Sequence, residues 1–116
     1  MKVAIVGCRH YDDYDSFMSK IQKWESRRCT ISTIISGGAT GIDRLAERYA
    51  REMGIKLVVF KADWDLYGRG AGPIRNTLIV DACDSMVAFP SMSSRGTWDS
   101  NKKAGVANKD LTIYHI

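Results

Sequence analysis

Hydrophobic positions along this chain keep switching between two rhythms. Lys2–Val6 is a short apolar run closed by Gly7, the mark of a buried strand, while Tyr14, Phe17, Met18, Ile21 and Trp24 recur at helical spacing. Asp12 or Asp13 stands where it can cap that helix. A second strand is expected at Ile31–Ile35. Ile42, Leu45, Ala46, Tyr49, Ala50 and Met53 then form a helical stripe stopped by Gly54. On its other face Glu47 and Arg51 are spaced to pair. Ile55–Phe60 reads as a third strand and Lys61–Gly72 as a polar, glycine-bearing loop. Pro73 opens a helix whose expected buried face carries Ile74, Leu78, Ile79 and Ala82. A fourth strand follows at Ser85–Phe89, then a loop at Pro90–Gly96, a short helix capped by Thr97, and a last strand at Leu111–Tyr114.

Strands alternating with helices imply an α/β fold: a small doubly wound sheet of about five mainly parallel strands, with helices on both faces. Residues 1–116 read as a single domain without linker, repeat or low-complexity segment. Each polar, glycine-rich loop follows a strand, so Gly7–Asp13, Ser36–Asp43, Lys61–Gly72 and Pro90–Thr97 should collect on one edge of the sheet. Ligands of such folds bind on that edge, where the strand order reverses.

Composition narrows the chemistry. Apolar content of 45% and charged content of 26% are ordinary for a globular chain, and a net charge of +4 suits an anionic ligand. The basic residues are scattered; Arg27-Arg28 and Lys102-Lys103 are the doublets, which is thin support for nucleic-acid binding. Cys8, Cys29 and Cys83 lack CxxC spacing and read as reduced thiols, neither a disulfide framework nor a metal site. With no signal pattern and no membrane-length apolar run, a cytoplasmic location is expected, without membrane partners.

The most informative stretch is Ser36-Gly37-Gly38-Ala39-Thr40-Gly41-Ile42-Asp43. A glycine turn between strand and helix can present free N–H groups, with the positive end of the helix dipole, to a phosphate. A tight turn needing glycine only for its φ angles is the alternative. Neither GxGxxG nor GxxxxGK[ST] is present. Gly7 and Arg9, ending the first strand, offer close approach and a bidentate phosphate grip. Asp43 stabilises its helix and can receive a ribose hydroxyl. Asp63 stands where a ribose-binding carboxylate often lies, or is an exposed loop carboxylate. Gly72, Arg75 and Asn76 flank Pro73, and an arginine in a first helical turn asks for an anionic partner. Ser94, Arg95, Gly96 and Thr97 form a second small-residue turn into a helix, a further phosphate cradle or a flexible loop. Trp64, Tyr67 and Trp98 can stack on a base or seal an oligomer interface.

Taken in order, Gly7-Cys8-Arg9, Ser36–Asp43 with Ala46, Ala62-Asp63-Trp64, Ala71–Asn76 and Ser94–Thr97 resemble the SLOG superfamily, which includes the LOG enzymes and Smf/DprA. The small YpsA-related branch common in phages and prophages is the most similar. The resemblance implies a Rossmann-like fold, a nucleotide-derived ligand and a homo-dimer or larger homo-oligomer. LOG enzymes hydrolyse nucleoside monophosphates with a PGGxGTxxE motif whose glutamate works with an arginine. Here Arg75 matches the arginine, but the glutamate position falls on Ser100, and Asp99 lies about 100° around the helix from it.

Three functions follow as expectations. The first is a module that senses or sequesters a nucleotide-derived ligand of ADP-ribose, NAD-related or cyclic nucleotide type, with no other cofactor implied. The second is a nucleotide-processing enzyme using Arg75 and a carboxylate such as Asp99, Asp63 or Asp43. The third is single-stranded DNA binding of the Smf/DprA kind.

Overall fold

The computed structural model describes residues 1–115. Five parallel strands, β1 (Lys2–Gly7), β2 (Thr33–Ser36), β3 (Lys56–Val59), β4 (Ser85–Phe89) and β5 (Asp110–Ile113), form one sheet in the order β3-β2-β1-β4-β5. β1 sits centrally because its side chains are apolar towards both faces. Val3 and Ile5 enter one core with Phe17, Ile21, Trp24 and Tyr49, while Ala4 and Val6 enter the other with Ile79, Val80 and Met86. That continuous apolar run is what a parallel strand covered on both sides requires.

The first core is closed by α1 (Tyr14–Arg27) and α2 (Ile42–Met53). Asp13 caps α1, its carboxylate accepting from the Ser16 N–H at 3.1 Å. Gly54 ends α2 in the left-handed conformation at φ 66°. Met53, at the end of the expected stripe, is exposed instead, since the last turn of α2 runs past the sheet. Glu47 turns to Ser36 and not to Arg51, and the helix-surface ion pair is Arg48 with Glu52.

The second face departs more from expectation. A one-turn helix, α3 (Trp64–Tyr67), and a 3-10 turn at Gly68–Gly70 precede α4 (Ala71–Ala82), so Pro73 is the third helical residue and Arg75 lies beyond the first turn. The buried face of α4 is Ala71, Gly72, Asn76, Ile79 and Val80, whereas Ile74 and Leu78 are exposed. Gly72 leaves room for Trp64, while Ile79 and Val80 enter the second core. α5 (Arg95–Val106) begins before Thr97, which is buried in its first turn; Ser94 is the capping position. No helix among the described residues is long and apolar enough to cross a membrane.

Candidate functional site

The chain leaves β1 for β2 and β3 on one side and returns through β4 and β5 on the other. The loops after β1 and β4 therefore part, and a crevice opens between them at the carboxyl edge. It is a cleft of about 470 Å³. Gly7 to His10 form one wall and Ser91 with Ser93 to Thr97 the other, with Gly37, Ala39, Asp43, Arg75 and Asn76 across the floor. Most of the expected ligand contacts are thus brought together.

The glycine loop works differently from a phosphate cradle. Its Gly38 N–H donates to the Ser36 hydroxyl at 3.2 Å, Ala39 N–H to the Asp43 carboxylate at 3.1 Å, and Ile42 N–H to the Cys8 carbonyl at 3.0 Å. These amides are spent holding the turn against β1. Gly41 has φ 73°, and a Cβ there would stand 2.2 Å from the Cys8 carbonyl oxygen. Gly7 likewise makes room for Ile42, to which a Cβ would come within 2.6 Å. Both glycines permit close packing of α2 on β1. Ser36 is fully buried and serves the same turn.

Positive charge comes from side chains. Arg75 donates from Nη1 to the Gly37 carbonyl at 2.7 Å and from Nε to Asn76 Oδ1 at 3.0 Å. Desolvation lowers its pKa, Asp43 opposes that, and Arg9 adds to it. Asp43 is 6% exposed. Burial raises its carboxyl to about 6, although the Ala39 N–H and the charges of Arg75 and Arg9 favour the ionised form. One buried carboxylate between two arginines leaves net positive charge facing the cleft.

The serine wall is held by its own hydroxyls. Ser94 Oγ accepts from the Ser91 N–H at 2.9 Å and meets the Ser91 hydroxyl at 2.8 Å. Trp98 donates its indole N–H to the Ser91 carbonyl at 3.1 Å, which braces this wall. Asn76 Nδ2 reaches the Gly96 carbonyl and Asp99 Oδ2, at 3.2 and 3.1 Å, joining α4 to α5. Asp99 also accepts from Lys103 at 2.8 Å. Burial raises the Asp99 pKa, but those two bonds outweigh it and hold the carboxyl below its ordinary value.

A second cavity of about 430 Å³ adjoins the first and includes Gly38, Lys61 and Trp64 in its wall. Asp63 stays outside both cavity walls, because its carboxylate accepts from the Leu66 N–H and caps α3. Gly72 is buried, with Trp64 Cη2 only 3.3 Å from where its Cβ would be. Cys8 and Ser91 also line the cleft and were not among the expected contacts. The hydroxyl run from Ser91 to Ser94 was the available signal for the second. Burial raises the Cys8 thiol, but hydrogen bonds from the His10 N–H and the Ser91 and Ser94 hydroxyls bring it below the usual value.

A family model described as YAcAr, the YspA, cpYpsA-related SLOG family, matches residues 1–67. The chain belongs to this SLOG family. A relative from Mycobacterium phage D29, the Gene 61 protein, is 31% identical over 114 residues, covering 90% of this chain and 91% of that one. The fold is shared with DNA processing protein A (DprA) from Streptococcus pneumoniae, with a TM-score of 0.77 and 22% identity over 97% of this chain. DprA from Helicobacter pylori, described for its single-stranded DNA binding mode, gives 0.70 and 20% over 97%. The chain spans 49% and 64% of those two proteins.

Ser100 is 1% exposed and lines the cleft, whereas Asp99 is turned towards Asn76 and Lys103. The carboxylate that does face the cleft is Asp43.

Proposed function

We propose that this SLOG protein binds a phosphorylated, nucleotide-derived ligand in the β1–β4 cleft, as a sensor or sequestering module. The observation that carries the reading is Arg75. Its guanidinium is fixed by the Gly37 carbonyl, lies half-buried on the cleft floor, and stands with Arg9 on the wall. A guanidinium preorganised and partly desolvated in this way, with the exposed Arg9 beside it, is a strong partner for phosphate oxygens. The open N-terminal turn of α5 and the serine hydroxyls add donors on the facing wall. Residues 1–116 then act as one nucleotide-binding domain, and a phage relative fits action in the host cytoplasm.

A thermal-shift panel of mononucleotides, NAD, ADP-ribose and cyclic dinucleotides, each beside its unphosphorylated nucleoside, tests this. A ligand at about a hundred times its dissociation constant adds about 2.7 kcal/mol. Stabilisation by phosphorylated members and not by nucleosides is expected. Equal shifts from nucleosides, or none from any member, contradict the reading. The second reading, single-stranded DNA binding, rests on the DprA fold likeness.

A further inference from the structure

The two cavities share Arg9, Gly37, Ala39 and Arg75, so the arginine pair stands at a waist between them and not at the end of a single pocket. Beyond the waist the wall is Gly38, Thr40, Lys61, Ala62 and Trp64. Trp64 is 53% exposed although it begins a helix firmly capped by Asp63. Its ring is nevertheless positioned. The far edge, Cη2, lies against α4 where Gly72 has no side chain, leaving about half the residue open along a cavity wall. A held but exposed indole is a surface on which a base can stack, and stacking tolerates any base.

A mononucleotide gripped at the arginines fills only one of these spaces, each of which is large enough for a ligand half. We propose that the ligand is a dinucleotide, two nucleosides joined through phosphate: one lies in the β1–β4 cleft, the bridge lies at Arg9 and Arg75, and the second base lies on Trp64. This rests on the phosphate-binding reading above and specifies its ligand class. A free dinucleotide is favoured over a polynucleotide because Arg28 and Lys103, one from each basic doublet, are engaged elsewhere. Arg28 pairs with Asp110 at the opposite edge of the sheet, and Lys103 is held by Asp99 and the Pro73 carbonyl.

The test is calorimetric titration of the whole protein with ADP, with diadenosine diphosphate and with a short oligodeoxyadenylate, in wild type, Trp64→Ala and Trp64→Phe. Diadenosine diphosphate should bind about 5- to 100-fold more tightly than ADP, the range set by stacking one base. Trp64→Ala should erase that advantage without changing ADP affinity, and Trp64→Phe should keep most of it. ADP binding with no gain from the second nucleoside, or a gain that survives Trp64→Ala, overturns the dinucleotide and leaves the phosphate site standing. Tighter binding of the oligonucleotide at near-physiological salt also overturns it, in favour of a polynucleotide. Silence from all three ligands fails the phosphate site itself.

Discussion

Asp43 is a carboxylate placed where ionisation is costly, and that cost makes a pH prediction. Its carboxyl is raised from 3.8 to about 6 in the folded protein. As pH rises, the unfolded chain loses this proton first, so the folded state loses relative stability through that window and regains none above it. A shift of this size corresponds to about 3 kcal/mol at neutral pH. Asp43→Asn keeps an acceptor for the Ala39 N–H and removes the charge. It should be more stable than wild type by about 1–3 kcal/mol at neutral pH and no more stable near the ordinary aspartate pKa. Urea denaturation of both proteins across that range checks it, and a constant difference would refute the assignment. Arg75→Ala should weaken a phosphorylated ligand by roughly tenfold or more, the loss of a charge-assisted pair, as read by titration. With Ser100 neutral and Asp99 engaged, no appreciable adenine should be released from AMP, which product chromatography beside Ser100→Glu would show. Arg9, Arg75 and Asn76 were legible in the sequence because glycine-rich loops after strands converge. For Gly41 the tight turn and for Asp63 the exposed loop carboxylate are the alternatives that hold, whereas the part of Ser36 is made of hydrogen bonds formed only after folding.

At the scale of elements, the glycine turn before α2 behaves as a weld to β1. Gly41→Ala meets the Cys8 carbonyl at a φ that side chains rarely adopt, and should destabilise the protein by about 2–4 kcal/mol, seen as a lowered denaturation midpoint. Unchanged stability would mean the turn can reopen. Gly38, at φ 72° and close to Val59, carries a similar constraint, so a valine there would disturb folding before it reported on a ligand. The amphipathic pattern gave α1 and α2 clearly, because each has one apolar stripe facing one core. α4 misled, because its large apolar residues, Ile74 and Leu78, lie outside while Ala71, Gly72 and Asn76 lie inside. Gly72 is small where Trp64 lies against the helix, and Asn76 is buried because Gly96 and Asp99 satisfy it. Periodicity reads hydrophobicity, and it does not register closeness or a paired amide.

For the whole molecule, the strand order sets the crevice between β1 and β4, and the sequence foresaw the edge on which it lies. It did not show that the crevice continues past the arginines, since that depends on where Trp64 comes to rest. The same arrangement predicts weak, strongly salt-dependent single-stranded DNA binding, because Arg27-Arg28 lies at the far end of α1 and Arg28 is paired with Asp110. Anisotropy titrations at low and near-physiological salt would show it, and tight, salt-tolerant binding would promote the DNA reading. The most direct test of the site is amide chemical-shift mapping of the isotope-labelled protein during titration with ADP. Shifts should be confined to Gly7–His10, Gly37–Ala39, Arg75–Asn76 and Ser91–Thr97, with Arg28 and Asp110 unmoved. Shifts centred on the opposite edge, or none at saturating ADP, would contradict this site.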